Sequence, residues 1–207
     1  MPAAGAVATA VMAVAVGGGM WYFFSPEYTD VGYAPVQPVP YSHELHAGQL
    51  DIDCRYCHAS VEKSAAAVIP PTQTCMNCHQ LVLRDSPNLA PIVESSTSKR
   101  RMRWVRIHDL PEYAYFDHSS HVNQGVGCAS CHGRIDQMVV VRQVEPLSMA
   151  WCLDCHRNPG PHLRPLEEVT NMNWTPSPDP AQRQAFIESA MAQRNINPPV
   201  DCSGCHR

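Results

Sequence analysis

A five-residue pattern, Cys-x-x-Cys-His, occurs five times in this chain of 207 residues and constrains its structure more than any other feature. Its ten cysteines are Cys54 and Cys57, Cys75 and Cys78, Cys128 and Cys131, Cys152 and Cys155, and Cys202 and Cys205. The histidines that complete the five copies are His58, His79, His132, His156 and His206. This pattern attaches a c-type haem, because both thiols form thioethers to one porphyrin edge and the adjacent imidazole ligates the iron. The sequence therefore predicts five covalent haem c groups with these histidines as proximal ligands.

Other uses of cysteine explain the pattern less well. A CxxC pair can be half of a zinc site or a redox dithiol, and ten cysteines can form five disulfides in a secreted protein. None of these requires a histidine directly after the second cysteine in every copy. We therefore favour a multihaem cytochrome.

The N-terminal stretch is a predicted membrane anchor. Residues 3–24 carry no charge, and a run of about 20 apolar residues matches the thickness of a hydrocarbon core. Trp21 and Tyr22 at its end suit the membrane interface. A secretory signal peptide is the alternative, but the run is longer than a signal core of about 7–15 residues. We expect residues 1–24 to be a retained transmembrane helix in the cytoplasmic membrane, with the haem domain on the periplasmic (outer) side.

The rest of the chain divides into a tether and a haem domain. Residues 25–40 contain Pro26, Pro35, Pro38 and Pro40, which favour extended chain and a spacer role. Residues 41–207 leave about 33 residues for each haem, too few for a layered core. We expect short helices and loops wrapped around five haems, with little regular secondary structure.

An internal repeat precedes the attachment motifs. Both His43 with His46 and His118 with His121 have an aromatic residue two positions before them and two attachment motifs after them. Histidines at i and i+3 lie on one face of a helical turn, so one short element can offer imidazoles to two irons. The repeat units span about residues 41–80 and 116–157, and residues 158–207 form a C-terminal haem segment.

The number of histidines is sufficient for a second axial ligand at every iron. Five of the 11 are proximal, which leaves six for five distal positions. The predicted distal ligands are His43, His46, His108, His118 and His121, with His162, Met138 and Met149 in reserve. A methionine ligand would raise the potential of its haem relative to a bis-histidine one.

The chain carries a small net negative charge, one basic cluster and one clear helix-start pattern. The net charge of −4 argues against nucleic acid binding. The basic cluster at residues 99–106 is either a solvated face or a site for haem propionates or a partner. Asp179 followed by Pro180 predicts the start of a helix over residues 181–193.

Several segments resemble the pentahaem cytochrome subunit of alternative complex III. They are residues 38–48, 52–58, 61–65 and 69–72, with His108-Asp109-Leu110-Pro111, Tyr115-Phe116-Asp117-His118 and Met149-Ala150-Trp151-Cys152. The resemblance covers nearly the whole chain. It implies a membrane complex that oxidises a quinol such as menaquinol in a respiratory or photosynthetic chain. The implied partners are a polytopic quinol-binding subunit, an iron–sulfur subunit and a monohaem cytochrome c, with a soluble carrier or terminal oxidase as the acceptor.

Two other functions remain open at this stage. A multihaem enzyme of the nitrite-reducing type needs an iron with a vacant position, whereas all five proximal positions here are histidine. A membrane-tethered quinol dehydrogenase or donor cytochrome would need its own quinol pocket, and the sequence shows no evident candidate for one. We predict an electron-transfer subunit that has no catalytic residue of its own.

Overall fold

The N-terminal helix stands apart from the rest of the molecule. The computed structural model describes residues 2–206, and helix α1 (Pro2–Phe23) is its longest element. Within it, Ala4–Phe23 has a mean hydropathy of 1.6 and buries none of its residues, so it is long and apolar enough to cross a membrane. A single N-terminal apolar helix fits the predicted anchor, and a signal sequence would also satisfy this criterion.

The predicted tether is folded onto the domain that follows. The short helix α2 (Pro26–Thr29) follows α1. Its C-cap residue is Asp30, whose backbone amide donates to the Pro26 carbonyl. Beyond it, the Gly32 amide donates to the carbonyl of Gln143 at 2.8 Å. Further on, Val39 is buried. The second half of the tether is therefore fixed to the domain, and less of it is left as a free spacer.

The haem domain is built from short helices and loops, as the sequence predicts. In the first half these are a π-helix (Glu44–Gln49), α3 (Cys54–Cys57), α4 (Thr72–His79), a 3-10 turn (Pro87–Leu89) and α5 (Ala90–Ser98). In the second half they are α6 (His118–Asn123), α7 (Ala129–His132), a 3-10 turn (Ile135–Gln137), α8 (Met149–Arg157), two 3-10 turns (Gly160–His162 and Leu166–Glu168), α9 (Pro180–Gln193) and α10 (Cys202–Cys205). Over residues 2–206 there is no β-sheet, and only isolated bridges join Ala114 to His206 and Val126 to Leu163.

Helix α9 confirms a prediction made from the sequence. Asp179 caps it by accepting a hydrogen bond from the Ala181 amide at 2.9 Å, and Pro180 is its first residue. Proline suits that position because the missing amide hydrogen has no partner within the helix there. Ala190 on this helix is one of the few buried apolar residues.

The apolar core is small for a domain of this length. Among the described residues, the buried apolar side chains are Val39, Ile92, Met138, Leu163, Val169 and Ala190. So few buried side chains supply little of the apolar burial that normally offsets the loss of chain entropy. This agrees with a fold in which bound cofactors provide most of the interior.

Candidate functional site: the histidine and cysteine array

Each attachment motif lies on or beside a short helix, and in three of the five a side chain caps the start of that helix. Asp53 caps α3, Ser148 caps α8 and Asp201 caps α10, and each side chain accepts a hydrogen bond from a backbone amide in the first turn. A helical turn places the two cysteines of a motif on the same side, one turn apart. The local structure is therefore suited to presenting both thiols to one porphyrin edge.

The cysteines do not adopt the alternative roles considered above. In the part of the chain that the structure describes, no disulfide joins any two of the ten cysteines. In residues 2–206, no group of three or more His, Cys, Asp and Glu side chains is arranged to hold a metal ion.

Most of the imidazoles are held in the orientation that a metal ligand needs. Seven of them have Nδ1 within hydrogen-bond distance of a backbone carbonyl oxygen: His46 with Ser42, His58 with Val68, His79 with Val82, His118 with Ala65, His121 with Asp117, His156 with Pro199 and His206 with Tyr113. A carbonyl accepts only from a protonated Nδ1, which leaves Nε2 with a free lone pair for the metal. These contacts therefore fit the haem-binding prediction.

Three further imidazoles have a buried nitrogen without a partner. Nδ1 of His43, Nε2 of His108 and Nδ1 of His132 make no hydrogen bond. Burial is the main reason that the pKa of His43 falls to about 4 and that of His132 to about 3, and neighbouring imidazoles lower both further. These rings are therefore neutral at pH 7, which is the form that binds a metal.

Three pairs of imidazoles have the separation expected across an iron. Two rings that ligate one metal from opposite sides, each with a metal–nitrogen distance of about 2 Å, have centres about 6 Å apart. The measured separations are 6.1 Å for His46 and His79, 6.1 Å for His121 and His156, and 6.4 Å for His118 and His132. Each pair joins one histidine of the repeated His-x-x-His element to one histidine of an attachment motif.

Two aromatic residues position the His-x-x-His elements. The ring of Tyr41 stacks on His46 at 4.5 Å and meets His43 edge-on at 4.9 Å. Phe116 stacks on His121 at 4.6 Å and meets His118 edge-on at 4.7 Å. In each unit, one aromatic ring thus contacts both imidazoles. These are the aromatic residues that precede the histidines in the sequence repeat.

The remaining predicted ligands are placed differently. His108 lies only 4.4 Å from His132, which is closer than two rings on opposite sides of an iron. His162 closes the 3-10 turn Gly160–His162 and takes part in none of the ring contacts of the described chain. Met138 is buried, whereas Met149 begins α8 and is exposed. A distal ligand opposite His206 is therefore not evident from these contacts.

An arginine outside the basic cluster, Arg164, lies beside the third attachment motif, against Gly127. Arg164 is buried, it lies 4.9 Å over the Trp174 ring, and its Nε has no partner. Burial lowers the pKa of Arg164, and the nearby Cys128 opposes this effect. Sequence analysis missed this residue because nothing near it in the sequence marks it as special.

The predicted basic cluster is exposed. Arg100 pairs with Glu94 at 2.6 Å and Arg106 pairs with Asp109 at 2.7 Å, and all four side chains are largely accessible to solvent. Exposed ion pairs contribute little to stability, about 0–1 kcal/mol each. A role for residues 99–106 in binding propionates or a partner stays a prediction.

Comparison with known proteins supports the haem interpretation. No family model matches the chain. The chain is similar to the menaquinone reductase multiheme cytochrome c subunit of Nitratidesulfovibrio vulgaris, with 30% identity over 122 residues that cover 58% of this chain and 55% of that protein. It thus spans about half the length of this curated relative. The similarity to a multihaem cytochrome c subunit indicates a role in electron transfer. The helical domain with CxxCH cysteines and the apolar N-terminal helix agree with this role.

Proposed function

We propose that this protein is a pentahaem electron-transfer subunit of a quinone-linked membrane complex of the alternative complex III type. The paired imidazoles carry the proposal, because a distal histidine about 6 Å from a proximal one leaves no open position on the iron between them. Haem c supplies reversible one-electron exchange, and the chain's own residues hold, orient and enclose the cofactors. Such a subunit relays electrons and does not transform a substrate.

The ligand assignment follows the repeat. We assign His46 to the haem of His79, His121 to that of His156 and His118 to that of His132, on the ring separations above. His43 is assigned to the haem of His58, because it holds the position in the first unit that His118 holds in the second. His108 and His162, with Met138 and Met149, remain candidates for the haem of His206.

The location and partners are part of the same proposal. The apolar helix α1 anchors the chain in the cytoplasmic membrane, and the haem domain lies on the periplasmic side. A polytopic quinol-binding subunit and an iron–sulfur subunit deliver the two electrons of each quinol, which this chain carries one at a time. A monohaem cytochrome c, another soluble carrier or a terminal oxidase receives them.

Low-temperature EPR combined with a redox titration tests the relay function. We expect five low-spin haems and no binding of cyanide or CO. A high-spin haem that binds these ligands in the intact protein would instead support an enzyme with an open iron.

Substitution of a single distal ligand tests the assignment. His43→Ala should convert one of the five haems to high spin, because its iron loses the second axial ligand. With the motifs numbered 1 to 5 in sequence order, His162→Ala is a separate test of a candidate ligand for motif 5, and it should leave the haems of motifs 1 to 4 low-spin. An unchanged spectrum for His43→Ala would remove His43 from the ligand set.

A second candidate direction of electron flow is favoured by the relative's name. That protein is described as part of a menaquinone reductase, in which electrons run toward the quinone. Stopped-flow mixing of the oxidised complex with menaquinol, and of the reduced complex with menaquinone, separates the two directions. Quinol oxidation is the proposed function, and it requires haem reduction by menaquinol to be the faster of the two reactions.

A further inference from the structure

The two repeat units exchange equivalent contacts. In the first unit the Glu44 amide donates to the Met138 carbonyl at 3.1 Å, and in the second the Ser119 amide donates to the Ser64 carbonyl at 3.2 Å. Glu44 and Ser119 each follow the first histidine of their His-x-x-His element. Met138 and Ser64 each lie six positions after the proximal histidine of the other unit's first motif. The two hydrogen bonds are thus the same contact made in both directions.

A second pair of contacts repeats this relation. Gly48 lies so close to the Asp136 carbonyl that a side chain there would collide with it. At the equivalent position, Asn123 donates from Nδ2 to the Glu62 carbonyl at 3.0 Å. Reciprocal contacts between equivalent positions are the property of a two-fold axis. The two repeat units are therefore related by an internal pseudo-two-fold axis.

The axis runs between the first and third attachment motifs. Cys54 and Cys128 are the equivalent first cysteines of these two motifs, one in each repeat unit. Two consecutive residues join these motifs, because the Val169 carbonyl accepts from the Cys128 amide at 3.1 Å and the Thr170 hydroxyl donates to Asp53 at 2.9 Å. Motifs 1 and 3 are therefore neighbours, although motif 2 lies between them in the sequence.

Motifs 2 and 4 flank this central pair. Asn77 of motif 2 donates to the Tyr56 hydroxyl of motif 1 at 2.9 Å. On the other side, α6 contributes His118 opposite motif 3 and His121 opposite motif 4, three residues apart on one helical face. Motif 4 therefore lies next to motif 3, as motif 2 lies next to motif 1.

Motif 5 lies beside motif 4. The Pro199 carbonyl accepts from Nδ1 of His156 in motif 4 at 2.7 Å. The same Pro199 packs so closely against Gly204 of motif 5 that a Cβ on this glycine would collide with its ring. One residue thus contacts both motifs.

From these contacts we propose that the five haem-attachment motifs are arranged in space in the order 2, 1, 3, 4, 5, so that motifs 2 and 5 hold the two ends of the electron path. The proposal rests on the haem attachment of the proposed function and adds the order of the carriers. Electrons enter and leave at Cys75–His79 and Cys202–His206. Motif 1, which comes first in the sequence, is an internal carrier.

The proposed order can be tested by counting the neighbours of a haem. The haem of motif 2 has one neighbouring haem in this order, and the haem of motif 4 has two. His46→Met should raise the potential of the haem at motif 2, because methionine ligation favours the reduced state. That haem then remains reduced and diamagnetic while the others are oxidised, so its magnetic coupling to any adjacent haem disappears. His121→Met, at the equivalent position of the second unit, does the same at motif 4 and is the matched variant.

EPR of the purified full chain during a redox titration gives the result. We expect His46→Met to change the signal of one other haem and His121→Met to change the signals of two. If His46→Met changes two other haems, motif 2 is internal, as in the order of the sequence, and the proposal is overturned. If His46→Met does not bind five haems, His79→Met changes the opposite ligand of the same haem and gives the same count. The experiment uses no quinone, so a failure of the proposed order is distinguishable from a failure of the quinol-oxidising function.

Discussion

The two His-x-x-His elements have nearly the same geometry although their sequences differ. His46 and His121 each direct Nδ1 to the carbonyl four residues earlier, at 2.8 and 2.7 Å. Tyr41 and Phe116 contact their two imidazoles at separations that agree within 0.2 Å. The residues between the histidines are Glu-Leu in one unit and Ser-Ser in the other. The aromatic ring and the backbone therefore set the ligand geometry, and the intervening side chains do not.

The two units differ in the hydrogen bond at Nδ1 of the first histidine of each His-x-x-His element. His118 directs Nδ1 to the Ala65 carbonyl at 2.8 Å, whereas Nδ1 of its equivalent His43 has no partner. The proximal histidines show the reverse: His58 contacts the Val68 carbonyl at 3.0 Å, and His132 has no partner at Nδ1. A hydrogen bond at Nδ1 makes an imidazole a stronger metal donor. In the proposed ligand assignment, equivalent haems of the two units would therefore receive the stronger donor from opposite axial positions.

Removing the cysteines of a whole motif should have the largest effect, and the loss of haem should depend on whether the motif is central or peripheral. Cys128→Ser with Cys131→Ser removes the attachment at the pseudo-two-fold axis, where both units meet. Cys202→Ser with Cys205→Ser removes only the peripheral motif 5. We expect the first variant to lose most of its haem and fold, and the second to retain four haems, as counted by mass spectrometry and haem absorbance. Equal losses would contradict a central role for motif 3.

Substitution at the reciprocal contacts should give an intermediate effect and sharpen the comparison. Gly48→Ala pushes a methyl group against the Asp136 carbonyl, and forced backbone shifts of this kind cost about 1–3 kcal/mol. Asn123→Ala removes one hydrogen bond to Glu62, which costs about 1 kcal/mol. Thermal unfolding followed by circular dichroism should rank Gly48→Ala as the less stable variant. The opposite ranking would show that the close approach at Gly48 can relax.

The smallest expected effect concerns the Asp53 cap, which joins the first repeat unit to the C-terminal haem segment. Asp53 accepts from the Arg55 amide and from the Thr170 hydroxyl, and its hydrogen bonds to the Arg55 side chain are the main reason that its pKa falls to about 2. A carboxyl with a lowered pKa stabilises the fold above its unfolded pKa of about 3.8, and this contribution is lost as the pH falls toward 2. Because the side chain is about half exposed, Asp53→Asn should cost no more than about 1 kcal/mol at pH 7.

Unfolding measured at pH 7 and pH 3 tests this sign. The difference in stability between wild type and Asp53→Asn should shrink at the lower pH, where the wild-type carboxylate begins to be protonated. A constant difference would mean that the hydrogen bonds matter and the charge does not. Glu167→Gln is a matched control, because Glu167 makes none of the ion pairs or side-chain hydrogen bonds of the described residues.

Much of the site could be predicted from the sequence because its chemistry is local. A CxxCH motif contains its own cysteines and proximal histidine, and a His-x-x-His element fits on one helical turn, so spacing alone identified them. The short helices, the apolar N-terminal helix and α9 follow from local patterns as well, and the structure confirms them. Arg164 could not be found in this way, because its importance depends on Cys128, which is distant in the sequence.

By itself, the sequence determined the five CxxCH motifs and the repeat and predicted the small apolar core, since these depend on composition and on near neighbours in the chain. Only the tertiary structure decided which imidazoles face each other and which motifs adjoin. The physical reason is that the reciprocal contacts of Glu44 with Met138 and of Ser119 with Ser64 join segments far apart in the chain. Those contacts place motif 1 against motif 3, an arrangement that no spacing in the sequence encodes.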